Sequence, residues 1–201
     1  MKSSFFAGAA IAVLALAQAP TAFADEGMWT FDNFPAAKVK AAYGVDITQA
    51  WLDRVRNSAV RLSSGCSASV VTAQGLVLTN NHCIADCAQT LSSSGKDYFK
   101  DGYQIAGRTE EKTCPGMQAE ILTAITDVTA RVSTAGQGQS GGALVKARTA
   151  VTATIEQEGC GSDQTLRCQV VDLYHGGQFK LYKYRKYSDV RLVFSPGVPA
   201  A

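Results

Sequence analysis

The sequence predicts an α+β domain made mainly of antiparallel strands, with two or three helices and disulfide cross-links. Two hairpin patterns support the strands: residues 67–72 and 76–79 flank a turn at Gly75, and residues 168–173 and 179–187 flank a second turn. Apolar residues recur at helical spacing after Asp46 and after Ser140. The 201 residues are 46% hydrophobic and carry a formal charge of +2, which fits one globular domain and gives no sign of nucleic-acid binding.

The first 24 residues have the pattern of a secretory signal. Lys2 supplies the positive charge, residues 5–16 form an apolar run, and Ala22-Phe23-Ala24 forms a small-x-small cleavage site. The run is too short to cross a bilayer, although an uncleaved anchor is the alternative. We therefore predict an exported protein, periplasmic or extracellular, with a signal peptide at 1–24, an N-terminal arm at 25–45 and a domain at 46–201.

The first helix is expected to begin at Asp46, which can form a capping box with Gln49. Its apolar positions continue at helical spacing to Leu62, so one face should be buried. The hairpin that follows ends with the apolar strand 76–79, which we also expect to be buried. His82 lies just beyond this strand, and a histidine held rigidly at the edge of a sheet is suited to act as a general base. We therefore predict His82 as the catalytic residue.

All six cysteines lie after the predicted signal, and an even number in an exported chain indicates disulfides. Six cysteines allow about 15 pairings, and the spacing alone does not choose among them. The rival interpretation is a metal site formed by His82, Cys83 and Cys87. This cluster lacks the paired C-x-x-C spacing of structural zinc sites, and an oxidising compartment disfavours thiolates, so we predict neither a metal nor another cofactor.

Residues 66–83 read as cysteine, strand, glycine turn, strand and Thr-Asn-Asn-His-Cys, and they resemble the N-terminal barrel of chymotrypsin-type serine peptidases. Further stretches make the whole similar to peptidase family S46, the dipeptidyl-peptidase 7/11 group. They are Asp-Glu-Gly-Met-Trp at 25–29, Gly65-Cys66, Ile-Thr-Asp-Val-Thr at 125–129 and Leu-Tyr-Lys-Tyr-Arg-Lys-Tyr-Ser-Asp-Val-Arg-Leu-Val-Phe at 181–194.

The resemblance implies part of a chymotrypsin-like barrel within residues 46–201, a helical insertion around 140–158, and His82 as the general base. It also implies a Cys66–Cys83 disulfide, because the cysteine before the hairpin pairs with the one after the catalytic histidine in such barrels. For the other four cysteines we predict one pair across the next loop and one local pair, Cys87–Cys114 and Cys160–Cys168.

The function implied by the resemblance is that of a serine-type dipeptidyl-peptidase, an aminopeptidase that removes dipeptides from peptide N-termini. Its partners would be peptides with a free N-terminus, without nucleic acid or membrane, and the full-length family suggests a homodimer. S46 enzymes are several times longer than this sequence, so their catalytic Asp and Ser would fall beyond it. We therefore expect a truncated chain, inactive alone, with open strand edges and an apolar patch.

Two alternatives remain open. The first is a small, complete, trypsin-like endopeptidase that uses His82, Asp127 and Ser140. Asp127 lies in the strand predicted over 118–132, and Ser140 lies in Gly-Gln-Ser-Gly-Gly, which imitates a trypsin-like nucleophile loop. Helical spacing follows Ser140 where such a loop would lead into a strand, so we interpret Ser140 as a helix N-cap. The second alternative is a non-catalytic secreted binding module.

Overall fold

The computed structural model describes residues 27–197, which fall into two units, 27–34 and 35–197. In the first unit, the amide of Asn33 donates a hydrogen bond to the carbonyl of Thr30, 2.9 Å away, and closes a turn. Gly27 adopts a φ of +146° against the ring of Trp29, where a side chain would collide with the indole. The predicted signal peptide, residues 1–24, lies outside the described residues.

The second unit contains five α-helices and ten strands among its described residues, and the predicted arm, 25–45, is helical over part of its length. The helices are α1 (Ala36–Tyr43), α2 (Gln49–Ser58), α3 (Ala85–Leu91), α4 (Thr129–Ala135) and α5 (Gly141–Cys160). The strands are β1 (Ala59–Leu62), β2 (Ser67–Val70), β3 (Val77–Thr79), β4 (Tyr103–Gln104), β5 (Lys112–Thr113), β6 (Ala119–Asp127), β7 (Leu166–Leu173), β8 (Gln178–Tyr187), β9 (Arg191–Leu192) and β10 (Phe194–Ser195). Two 3-10 helices span Asn81–Ile84 and Arg108–Glu110.

One antiparallel sheet of six strands dominates this unit, in the order β3-β2-β1-β6-β8-β7. Its edges within the described residues are β3 and β7, so the sheet is open and does not close into a barrel. Two small sheets pair β4 with β10 and β5 with β9. The predicted α+β class with mainly antiparallel strands is confirmed, although the helices number five rather than two or three. Three of them have only seven or eight residues, too few to show a helical apolar repeat in the sequence.

The helix predicted over 46–62 is shorter than expected. α2 is capped by Thr48, whose hydroxyl accepts a hydrogen bond from the amide of Trp51 at 3.2 Å, so Asp46 is not the cap. Residues Ala59–Leu62 instead form β1, which pairs with β2 on one side and with β6 on the other. Two buried residues alternate with two exposed ones in this strand, and their burial inside the sheet outweighs the helical spacing.

The strand predicted over 118–132 ends at Asp127, where β6 is followed by α4. The Asp127 carboxylate accepts a hydrogen bond from the amide of Thr129 at 2.8 Å at the start of this helix. Val128 and Val132 are both buried, and they pack against α5 and β8. The apolar positions that predicted a longer strand are therefore buried by a helix.

Three disulfides cross-link these elements, and all three predicted pairings are confirmed. Cys66–Cys83 joins the turn between β1 and β2 to the 3-10 helix after β3. Cys87–Cys114 joins α3 to the loop after β5, and Cys160–Cys168 joins the end of α5 to β7. The first two contribute sulfur to buried clusters, whereas the third lies at a partly exposed position.

The strand predicted over 76–79 is present as β3, but the prediction that it is buried is wrong. Leu76 and Leu78 are 41% and 58% exposed. Within residues 27–197, β3 is an edge strand, and Leu78 lies on the sheet face opposite to the partly buried Val77 and Thr79. An open strand edge, which we expected, is present at β3 within the described residues. Within residues 27–197, no helix combines the length and the apolar character that crossing a bilayer requires.

Candidate active site

His82 lies just beyond the hairpin formed by β2 and β3. Gly75 takes a φ of +85° in the hairpin turn, a conformation that glycine adopts without strain. The chain leaves β3 in an extended conformation at Asn80 and then enters the 3-10 helix Asn81–Ile84. His82 is an exposed residue of this short helix, so its imidazole is accessible to a reacting group.

The Cys66–Cys83 disulfide anchors the 3-10 helix that carries His82. Its Cα atoms are 6.0 Å apart, and Cys83 is buried against β1 and β6. A ring nitrogen of His82 and the two sulfur atoms lie within 4.8 Å of one another. Zinc binds cysteine as thiolate, and both sulfur atoms are held in a disulfide, as is the sulfur of Cys87. The cluster therefore restrains His82 and does not offer thiolate ligands in this oxidation state.

Asn81 forms a long-range contact that the sequence analysis missed. Its side-chain oxygen accepts a hydrogen bond from the hydroxyl of Ser195 at 3.3 Å. Ser195 is buried in β10, near the other end of the described chain. Nothing in the spacing of the two residues points to this pair, because 114 positions separate them.

The Asp127 carboxylate is engaged at the start of α4. It accepts hydrogen bonds from the amide of Thr129 at 2.8 Å and from the side-chain amide of Gln178 at 3.3 Å. Hydrogen bonding by Thr129 keeps the pKa of Asp127 below its ordinary value, with smaller contributions from Gln178 and from the charge of Lys180. These contacts are those of a residue that stabilises a turn.

The register of the sheet keeps Asp127 away from His82. The register of the sheet aligns Thr79, the last residue of β3, with Ile121 of β6, across the intervening strands β2 and β1. Asp127 lies six residues beyond Ile121, and β3 runs in the opposite direction, towards His82. At about 3.3 Å per residue, the two side chains are separated by roughly 20 Å along the strands alone. The acid of a catalytic triad must touch the imidazole, so this structure does not bring His82 and Asp127 together.

Ser140 occupies the N-cap position of α5, as predicted, but its hydroxyl makes no capping hydrogen bond. The helix that follows, Gly141–Cys160, agrees with the helix expected around 140–158. A trypsin-like nucleophile loop would lead into a strand instead, and a motif carries weight only in its proper structural context. The helical context on which the rejection of Ser140 as a nucleophile depended is therefore observed.

A buried carboxylate on β6 is the second feature that the sequence analysis missed. The Glu120 side chain is only 4% exposed and accepts hydrogen bonds from Arg61 of β1 at 2.7 Å and from Arg167 of β7 at 2.9 Å. The guanidinium of Arg167 also lies over the ring of Tyr184, 4.6 Å from its centroid. Burial raises the pKa of Tyr184. This network links three strands of the sheet through charged side chains.

Comparison with known proteins gives matches over nearly the whole chain. The profile of the family described as Peptidase S46 matches residues 24–201. The chain belongs to peptidase family S46. This membership confirms the family that the motifs indicated, and with it the class of serine peptidases.

Two curated relatives within family S46 illustrate the similarity. The Asp/Glu-specific dipeptidyl-peptidase of Porphyromonas endodontalis is 31% identical over 195 residues, which cover 92% of this chain and 27% of the relative. Dipeptidyl-peptidase 7 of Porphyromonas gingivalis is 29% identical over 199 residues, with the same coverage of 92% and 27%. The chain therefore spans about a quarter of the length of the S46 peptidases that it matches.

The fold also agrees with solved structures of an S46 relative. The crystal structure of Porphyromonas endodontalis DPP11 in complex with substrate matches with a TM-score of 0.71 and 27% identity, covering 86% of this chain and 27% of that chain. The complex of the same protein with the dipeptide Arg-Glu matches with the same TM-score, identity and coverage. The arrangement of helices and strands described above is therefore that of one segment of an S46 peptidase.

Proposed function

We propose that this chain contributes the general base, His82, to a serine dipeptidyl-peptidase that removes dipeptides from the N-termini of peptides. The observation that carries the proposal is the location of His82. It is an exposed histidine directly after β3, on a 3-10 helix that a disulfide anchors to the sheet, in a chain that belongs to family S46. A base of this kind must be held in a defined orientation while it remains accessible. The exposure of His82 and the disulfide that anchors its helix support the assignment.

In the proposed reaction, a neutral His82 imidazole takes the proton of a serine hydroxyl as that oxygen attacks the peptide carbonyl. The resulting imidazolium then returns the proton to the leaving amine. The serine and the acid that orients His82 would be residues other than Ser140 and Asp127. This assignment is supported by the helix that follows Ser140 and by the turn contacts and distant register position of Asp127.

We further propose that the chain has no peptidase activity alone, because a triad acts as a unit and a base without its nucleophile leaves only residual catalysis.

The substrates would be peptides with a free N-terminus, and the full-length assembly would be a homodimer in the periplasm or outside the cell. Three disulfides support an oxidising compartment. The names of the relatives, which are dipeptidyl-peptidases, support the substrate class.

The first test measures hydrolysis of dipeptidyl-naphthylamides by the purified chain, by His82→Ala and by Ser140→Ala. We expect no hydrolysis above background in any of the three proteins, and no labelling of Ser140 by a fluorophosphonate probe. Activity that is lost in both variants would contradict the proposal, since the nucleophile would then be Ser140. Labelling of Ser140 would lead to the same conclusion.

The second test asks directly whether His82 is a base. Residues 25–197 replace the matching segment of the Asp/Glu-specific dipeptidyl-peptidase of Porphyromonas endodontalis, to which the chain is 31% identical. In the chimera, His82→Ala should lower kcat by at least about 10³-fold. His175→Ala is the matched control, because His175 is the only other histidine of the sequence and lies in an exposed turn. Equal activity of the two variants would refute the assignment of His82.

A further inference from the structure

The 3-10 helix that carries His82 is anchored on two sides. The disulfide of Cys83 anchors one side, as described above. On the other side, the side chain of Asn81 accepts the hydrogen bond from the hydroxyl of Ser195. Within residues 27–197, this is the one side-chain hydrogen bond made by the segment from Asn80 to Ile84. The residue directly before His82 is therefore attached to a distant part of the fold.

The backbone that presents Ser195 is itself held closely. Ser195 pairs with Tyr103 across β10 and β4 and is 4% exposed. Gly102 and Gly197 let the two backbones approach: a Cβ atom on Gly102 would lie 2.7 Å from the Ser195 carbonyl oxygen, and one on Gly197 would lie 2.7 Å from the carbonyl oxygen of Lys100. Both glycines have positive φ, so larger residues would be strained there as well as crowded. The Ser195 hydroxyl therefore projects from a backbone with little freedom to move.

We propose that Asn81 and Ser195 are positioning residues for His82. Their hydrogen bond ties the 3-10 helix to β10 and, together with the Cys66–Cys83 disulfide, sets the direction in which the imidazole projects. The inference rests on the proposed function, because the group being positioned is the proposed base. A base misplaced by about 1 Å loses much of its effectiveness, so a fixed orientation has a direct catalytic value.

The test is amide hydrogen exchange of the chain, followed by NMR, in Ser195→Ala and in Asn81→Ala. The amide of Cys83 donates to the carbonyl of Asn80 at 3.0 Å, so its exchange reports opening of the 3-10 helix. Loss of one hydrogen bond should make this exchange about five-fold faster in both variants. The amide of Leu62, which donates to the carbonyl of Cys66 at 2.8 Å, is the local control and should keep its rate.

Two further readouts separate positioning from general stability. Asn81→Asp keeps an oxygen that can accept from Ser195, so Cys83 exchange should stay near the wild-type rate in this variant. The ring resonances of His82 should shift in Ser195→Ala, whereas those of His175 should not, because His175 lies in the turn between β7 and β8.

Unchanged Cys83 exchange and unchanged His82 resonances in both alanine variants would overturn the proposal. Changes confined to the amides of β4 and β10 would overturn it too, since Ser195 would then stabilise only its own small sheet. If Ser195→Ala fails to fold, Asn81→Ala removes the same hydrogen bond from the less buried partner. None of these measurements requires activity, so their failure is distinguishable from failure of the proposed function, which the chimera tests.

Discussion

The Cys66–Cys83 disulfide allows a quantitative prediction, because it closes a loop of known length beside His82. Its two cysteines are 17 positions apart, compared with 8 for Cys160–Cys168 and 27 for Cys87–Cys114. The chain entropy that such loops remove from the unfolded state corresponds to about 3.1, 2.5 and 3.6 kcal/mol, respectively. Replacing each pair by alanines should therefore lower the free energy of unfolding most for Cys87–Cys114 and least for Cys160–Cys168.

Burial increases the difference in stability that we expect between the loss of Cys66–Cys83 and the loss of Cys160–Cys168. Cys83 is 5% exposed and belongs to the cluster formed with Val60 and Leu62, whereas both cysteines of the Cys160–Cys168 pair are partly exposed. Removal of a buried sulfur atom leaves unfilled space and adds a packing loss to the entropic one. The free energy of unfolding of the double variant Cys66→Ala/Cys83→Ala should therefore fall by more than the loop-closure contribution of about 3.1 kcal/mol.

The assay is urea unfolding followed by circular dichroism, with the three double-alanine variants compared under one set of conditions. The variant that lacks Cys160–Cys168 is the matched control, since it also removes two sulfur atoms but opens the shortest loop. The reasoning would be refuted if the Cys66→Ala/Cys83→Ala variant lost no more stability than this control. In that case, neither loop length nor burial of Cys83 would determine the contribution of the disulfide.

Three further predictions concern charge and backbone packing. Glu120→Gln should lower the free energy of unfolding by about 1.5–3 kcal/mol, because it weakens two charged hydrogen bonds. The control Glu158→Gln, at an exposed ion pair, should lower it by less than about 1 kcal/mol. Equal losses of the two variants in urea unfolding would contradict this prediction. The pKa of Asp127 is lowered in the folded state, so its carboxylate should stabilise the protein above the ordinary value near 3.8 and lose that effect as pH falls below it. Urea unfolding from pH 7 to pH 3 should then show the stability difference between the wild type and Asp127→Asn shrinking, and a constant difference would exclude this role. Gly102→Ala should destabilise the protein by roughly 1–3 kcal/mol, because residue 102 has a φ of +81° and a Cβ atom there would clash with the β10 backbone. Gly107→Ala, in open space, should have no such effect. Thermal unfolding of the two variants tests this difference.

The local patterns of the sequence determined several parts of the fold. The β2–β3 hairpin was predictable because β-branched residues flank a glycine that can adopt positive φ, and the histidine just past it followed directly. The helix after Ser140 was predictable because its apolar spacing is long enough to be recognised. The cysteine pairings came from the resemblance and from short loop spans, since six cysteines by themselves leave many pairings open.

Tertiary structure decided the features in which distant residues compete with local preference. Ala59–Leu62 continues a helical pattern, yet it forms β1 because β2 and β6 supply hydrogen-bonding partners on both sides. Leu78 is apolar, yet it is exposed among the described residues, where it lies on an edge strand and on the face opposite to the partly buried Val77 and Thr79. A local pattern records propensity, whereas burial depends on which elements become neighbours.

The site shows the same division. The sequence by itself identified His82 as the candidate base, because a histidine after a hairpin and before a cysteine is a local pattern. Only the folded chain decided that Asp127 serves the start of α4 and that Ser195 reaches Asn81 across 114 positions. The physical reason is that hydrogen bonds act over about 3 Å in space, and no local pattern in the sequence encodes which distant groups will come that close.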